Sequence, residues 1–219
     1  MRNVMTALFV AASLSLVACD SAPKGQKDAD KLNSSIDAFG QAAGQAESTL
    51  KMTVEAYANL LNAEGDYTEP YKTFSKGVQD CMKILDSMRG ALEDADKAST
   101  NYFQTYEMQL TTIEDEATRA DSKARLEARR ASYKGLQEKV KSGIANYEPI
   151  LRKLKAHSDA LGLELTKARV EGIKAQSEEV KKLATDWYEN NEAIKKDVEE
   201  YLKENSASGG QAPEGEAAK

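Results

Sequence analysis

Residues 71–106 read YKTFSKGVQDCMKILDSMRGALEDADKASTNYFQTY, and this stretch decides the fold. Tyr71, Phe74, Val78, Cys81, Leu85, Met88, Leu92, Ala95, Ser99, Tyr102 and Tyr106 follow one another at alternating steps of three and four residues, and Ile113 closes the run. That spacing keeps one stripe of a helix turned toward its neighbours, as in helices packed knobs into holes. A strand would show the same face every second residue, which this segment does not.

Three further runs share the pattern. The first is Leu32, Ile36, Phe39, Ala43, Ala46, Leu50, Thr53, Tyr57 and Leu60. Another is Leu126, Tyr133, Leu136, Val140, Tyr147, Ile150, Leu154 and Leu161, widened by Ile144 and Leu151. The last is Val170, Ile173, Ser177, Val180, Ala184, Trp187, Asn191, Ile194, Val198 and Tyr201. Helices are therefore expected over about 29–62, 68–114, 122–161 and 167–204.

Ala63-Glu64-Gly65-Asp66 ends the first helix, and Thr68-Glu69-Pro70 opens the second with an early-turn proline. Neither Gly nor Pro separates the second run from the third. The phase does: extending the second seam beyond Ile113 lands on Glu127 and Lys134, yet the apolar positions are Leu126 and Tyr133. A slip of one residue rotates the stripe by about 100°, so a turn is placed near 114–122. Thr166 is a cap candidate for the last helix. Pro149 falls inside the third run and removes one backbone bond, which predicts a kink. The expected fold is all-α, a long antiparallel four-helix bundle kinked at Pro149.

Charge agrees with that order. Residues 66–116 hold 11 acidic and 5 basic side chains, whereas residues 121–157 hold 4 acidic and 10 basic. Neighbouring helices of opposite sign complement each other, though each surface pair contributes little. The basic helix also suits anionic lipid, a competing account of the same charges. A chain of net charge −6 is a poor nucleic-acid binder, so no nucleic-acid partner is expected.

The first 19 residues give an address. Met1-Arg2-Asn3 is a short basic start, and Val4 to Val17 is apolar apart from Thr6, Ser13 and Ser15. The run is too short for a comfortable bilayer span and reads as an export signal over residues 1–18. Leu16-Val17-Ala18-Cys19 resembles the bacterial lipobox, which implies cleavage before Cys19 and acylation of that cysteine. Two or three acyl chains hold a protein to a membrane almost permanently, at about 0.8 kcal/mol per buried CH₂. Asp20, directly after the cysteine, resembles the signal that retains enteric lipoproteins in the inner membrane. The expected localisation is periplasm-facing and lipid-anchored, with the inner membrane favoured over the outer. Residues 19–28 are then a polar tether, and residues 205–219, rich in Gly, Ala, Ser and Glu, a disordered tail.

Chemistry-bearing constellations are sparse. Cys81 is the only thiol besides Cys19; it sits in a seam and is expected buried, with no intramolecular disulfide. His157, the single histidine, falls near the end of the third helix, where the dipole favours a partly charged imidazole. No Cys-x-x-Cys-His segment and no Glu-x-x-His pair is present, so neither haem attachment nor a di-metal bundle is expected. No nucleophile–base set and no Gly-rich loop after a strand stands out. The reading is of a non-enzyme without cofactor or metal. Tyr102, Tyr106 and Trp187 are read as core, and Gly40-x-x-x-Gly44 as a close helix–helix approach.

From about Tyr102 to Ile173 the order of residues resembles a family of Gram-negative envelope lipoproteins, domain of unknown function 2959. The resemblance is carried by Phe103, Tyr106 and Leu110, then Leu126, Arg130, Tyr133 and Leu136, and the block Tyr147-Glu148-Pro149-Ile150-Leu151 with Leu154, Leu161 and Leu165. Where the family has Trp, this chain has Tyr106. The resemblance implies a lipid-anchored helical protein and brings no catalytic residues. The chain is accordingly read as a non-catalytic spacer, scaffold or adaptor of the cell envelope. Its expected partners are the membrane, through acyl chains on Cys19, and another envelope protein. The alternative is a small-ligand carrier with a cavity between the helices, suggested by the polar or small seam residues Ser99, Ser177 and Asn191.

Overall fold

The computed structural model describes residues 24–206, and helices account for nearly all of them: α1 (Lys24–Leu61), α2 (Thr68–Leu110), α3 (Glu116–Leu163), α4 (Lys167–Lys174) and α5 (Ser177–Ser206). No strand occurs among the described residues. Gly65 turns the chain after α1 with a φ of 93°, a conformation that disfavours any residue with a Cβ. Asp66 Oδ1 then accepts from the Thr68 N–H at 2.8 Å, and Pro70 lies in the first turn of α2, where it breaks no helical bond. Asp115 caps α3 by accepting from the Thr118 N–H at 2.7 Å. Thr166 caps α4 as the sequence predicts, its Oγ1 accepting from the Arg169 N–H at 3.4 Å.

The four seams meet in one core. Every member of the first, third and last runs is buried. In the second run Tyr71, Leu92 and Tyr106 are half-buried, and Ile113 lies in the connection after α2. A fully buried Leu or Phe contributes about 1.5–3 kcal/mol, against about 0–1 for an exposed ion pair. The seams therefore carry the stability.

α1 packs along α2 and α5, α3 packs along the same two helices, and α1–α3 and α2–α5 are the diagonals. The order is up-down-up-down. The beginnings of α1 and α3 and the ends of α2 and α5 thus share one end of the bundle. Here Arg129 of α3 meets Asn33 of α1, Tyr102 of α2 and Tyr201 of α5. At the other end Tyr57 of α1 meets His157 of α3.

At Gly143 α3 makes room for a side chain of α5: a Cβ there would stand 2.4 Å from Ile194 Cδ1. Gly40 serves the predicted role against α5, since its Cβ would meet Val198 Cγ1 at 2.9 Å, whereas Gly44 faces open space. α3 runs through Pro149 without ending, and Ile150, Leu151 and Leu154 stay buried beyond it.

Several boundaries differ from the sequence reading. Lys24–Asp28, placed in the tether, is the first turn of α1; Asp28 Oδ2 accepts from Thr105 Oγ1 of α2 at 2.7 Å, a long-range contact that local composition does not show. α2 ends at Leu110, and α3 begins at Glu116 rather than 122 because the Asp115 carboxylate nucleates it early. The helix expected over 167–204 is interrupted at Ala175 and Gln176. The apolar steps pass through that break in phase, from Ile173 to Ser177 to Val180, so periodicity is blind to it. Asn205 and Ser206, assigned to the tail, extend α5, and Asn205 Nδ2 donates to the Tyr201 carbonyl at 2.7 Å.

Candidate functional site

Polar side chains enter the core in three layers. At the far end, the buried His157 stands between Tyr57 and Gln176. Its Nδ1 lies 2.7 Å from the Tyr57 hydroxyl, and its Nε2 lies 3.2 Å from Gln176 Oε1. An amide oxygen only accepts, so Nε2 carries the proton and Nδ1 accepts from the phenol. Burial holds the imidazole below the ordinary histidine value, with the Gln176 bond opposing it. This corrects the sequence reading of a partly charged imidazole at a helix end. The ring stacks on Tyr57 with centroids 5.6 Å apart, and neither nitrogen is left free for a ligand.

In the middle layer Cys81 is fully buried, as its seam position predicts. Its Sγ lies 3.3 Å from Thr53 Oγ1, and burial pushes the thiol pKa up. The buried Tyr147 and Tyr188 hydroxyls lie within electrostatic reach of this thiol and complete no hydrogen bond among the described residues. Trp187 stacks near Tyr147, centroids 4.7 Å apart, and its indole N–H is bonded to a backbone carbonyl. The polar seam residues Ser99, Ser177 and Asn191 are all satisfied internally: they donate to the carbonyls of Asp96, Lys174 and Ala43 at 2.8, 2.8 and 3.1 Å. A cavity walled by residues including Ile36, Phe39, Tyr133, Leu136 and Val198 has a volume of about 20 Å³.

The third layer is the Arg129 cluster. Arg129 is buried, with 9% of the residue exposed. Its Nη1 donates to the Tyr102 hydroxyl at 3.1 Å, Nη2 to Asn33 Oδ1 at 2.9 Å, and Nε to the Tyr201 hydroxyl at 3.5 Å. It also stands over the Tyr102 ring, 4.4 Å from the centroid. No carboxylate lies within 4.0 Å of it among the described residues. Burial raises the pKa of Tyr102 and of Tyr201, so both phenols keep their protons. Sequence reasoning missed this group, although the step from Leu126 to Tyr133 skips a seam position and Arg129 occupies it.

The remaining cations of α3 are largely matched. Arg130 pairs with Glu107 at 2.6 Å and Lys141 lies 4.0 Å from Asp96, both on α2. Lys139 and Lys153 pair with Asp197 and Glu179 of α5 at 2.7 and 2.9 Å. One pair reverses the predicted polarity: Arg89 of α2 holds Glu148 of α3 at 2.7 Å. Between these helices a surface groove of about 240 Å³ has Leu92 and Ile144 in its floor and Arg89, Glu93, Asp96 and Lys141 at its rim.

Cys19 and Asp20 lie outside the described residues. No group of three or more metal-ligating side chains is present among the described residues, and no helix there is long and apolar enough to cross a membrane.

No curated protein and no solved structure matches the chain. One protein family does, over residues 21–206, which extends well beyond the segment that carries the sequence resemblance. With the match covering the whole bundle, the chain belongs to the family described as Protein of unknown function (DUF2959).

Proposed function

We propose that the protein is a non-catalytic, lipid-anchored cell-envelope protein, fixed to a membrane by acyl chains on Cys19 and acting as a helical spacer, scaffold or adaptor for another envelope protein. The observation that carries this reading is the seam itself. Side chains fill the bundle from Leu32 to Tyr201, and the core polar groups are engaged largely with one another. Such a body is suited to holding distance and shape. α3 alone, at 48 residues, spans about 72 Å at 1.5 Å per residue. The small-ligand carrier finds little support: a cavity of about 20 Å³ holds roughly one water, and the polar seam residues that suggested it are satisfied.

Crosslinking in intact cells, read by mass spectrometry, tests the proposal. Crosslinks from exposed lysines to a second envelope protein are expected. Crosslinks confined to the chain itself would refute an adaptor role and leave only the spacer.

A further inference from the structure

The Arg129 cluster holds more donors than acceptors. A guanidinium offers five N–H groups; three are given to Asn33, Tyr102 and Tyr201, so two are unspent among the described residues. Each tyrosine oxygen accepts from Arg129, which leaves its own O–H hydrogen without an acceptor among the described residues. Two N–H and two O–H donors around one positive charge are therefore without an acceptor among the described residues.

Every partner of Arg129 among the described residues is neutral. Removing a cation from water without an opposite charge is expensive, and buried arginines are ordinarily matched by carboxylates. Other α3 cations show the usual solution in this same bundle, as Arg130 does with Glu107 and Glu127. Arg129 departs from it. Its walls are aromatic: Phe103 and Tyr106 pack on Tyr102, and Tyr133 packs on Tyr201. Apolar walls strengthen any charge interaction between them.

We propose that Arg129, Tyr102, Tyr201 and Asn33 form a binding site for a phosphate-type oxyanion at the end of the bundle where α1 begins. Charge neutralisation comes from Arg129, and the phenolic O–H groups complete the coordination of the anion oxygens. Inorganic phosphate and the phosphodiester of a lipid headgroup share this chemistry. The site stands independently of the scaffold role proposed above.

Thermal unfolding of the full chain in neutral detergent tests it, with sodium phosphate compared against sodium chloride at equal ionic strength. Phosphate at ten times its dissociation constant should raise Tm by about 3 °C over the chloride control. Arg129→Gln should abolish that increment. The double variant Tyr102→Phe, Tyr201→Phe keeps the charge and the ring packing, and covers the case in which Arg129→Gln does not fold. It should weaken phosphate binding at least about tenfold, since hydrogen bonds to charged groups are the strong ones. An equal rise in chloride, or an increment unchanged in the double variant, overturns the site. Short-chain phosphatidylglycerol then separates the sources. Competition with phosphate assigns a lipid headgroup, and failure to compete assigns a small free oxyanion.

Discussion

Trp187 donates its indole N–H to the carbonyl oxygen of Gly143 at 3.0 Å, inside the core and across the contact between α5 and α3. The bare backbone of the same glycine also admits Ile194, about two turns further along α5. A single glycine thus receives two side chains of the facing helix.

Gly143→Ala should destabilise the protein by about 1 kcal/mol: overpacking costs about 1–3 kcal/mol, and the gain in helix propensity returns at most about 1. Gly90, on the exposed face of α2 with nothing within 4 Å of its Cβ position, provides the control. Gly90→Ala should stabilise by about 0.5–1 kcal/mol. Urea unfolding followed through the single tryptophan reads both. Equal stabilities for the two variants would show that the approach at Gly143 is looser than described.

His157 gives the fold a pH dependence of definite sign. Its imidazole titrates lower in the folded chain than in the unfolded one. The unfolded chain therefore binds the proton first as pH falls below about 6.5, and stability declines from there down to the folded value. Lys153 adds to the depression, and Glu179 and the Gln176 bond oppose it. Unfolding free energies should fall between pH 7.5 and pH 5.5 in the wild type. His157→Gln should flatten that interval. A slope that survives the substitution belongs to another group.

Cys81 should resist a bulky maleimide in the folded protein and react quickly in denaturant. Full burial blocks access, and the raised pKa keeps the thiolate scarce. Mass spectrometry of the Cys81 peptide after timed labelling decides the point. Native labelling at the denatured rate would place the thiol at the surface.

For the proposed anchor, Cys19→Ala should release the protein from the membrane fraction, since no helix among the described residues can span a bilayer. Asp20→Ser should shift it toward the denser membrane if Asp20 holds it in the inner one. Wild-type protein already sedimenting with the outer membrane would exclude that role for Asp20 without a mutant.

The bundle is legible in the sequence because burial repeats with the helix period over whole helices, and one displaced member does not erase the pattern. The candidate site is less legible for a related reason. The α3 seam continues without a gap through positions 126, 129, 133, 136, 140, 143, 147, 150, 154, 157 and 161. Reading only its apolar members omits Arg129, Gly143 and His157, the three positions where α3 does something other than pack an apolar side chain. Their burial depends on partners supplied from other helices: Tyr102 and Tyr201, Trp187 and Ile194, Tyr57 and Gln176. Such partners are invisible in a one-dimensional pattern. The break before Ser177 was hidden for the opposite reason, since it leaves the pattern intact.

The up-down-up-down order also dictates how the molecule can be tagged. Lys24 and Ser206 close the same end of the bundle, and the opposite end offers only the connections at 62–67 and 164–166. A fluorescent protein fused after Ser206 reports on the end from which the chain leads back to Cys19, wherever the molecule stands. To mark the remote tip, a short epitope must be inserted beside Gly65, in a turn whose backbone already departs from the helix. Two labels placed this way would measure in cells whether the long axis stands upright or lies flat.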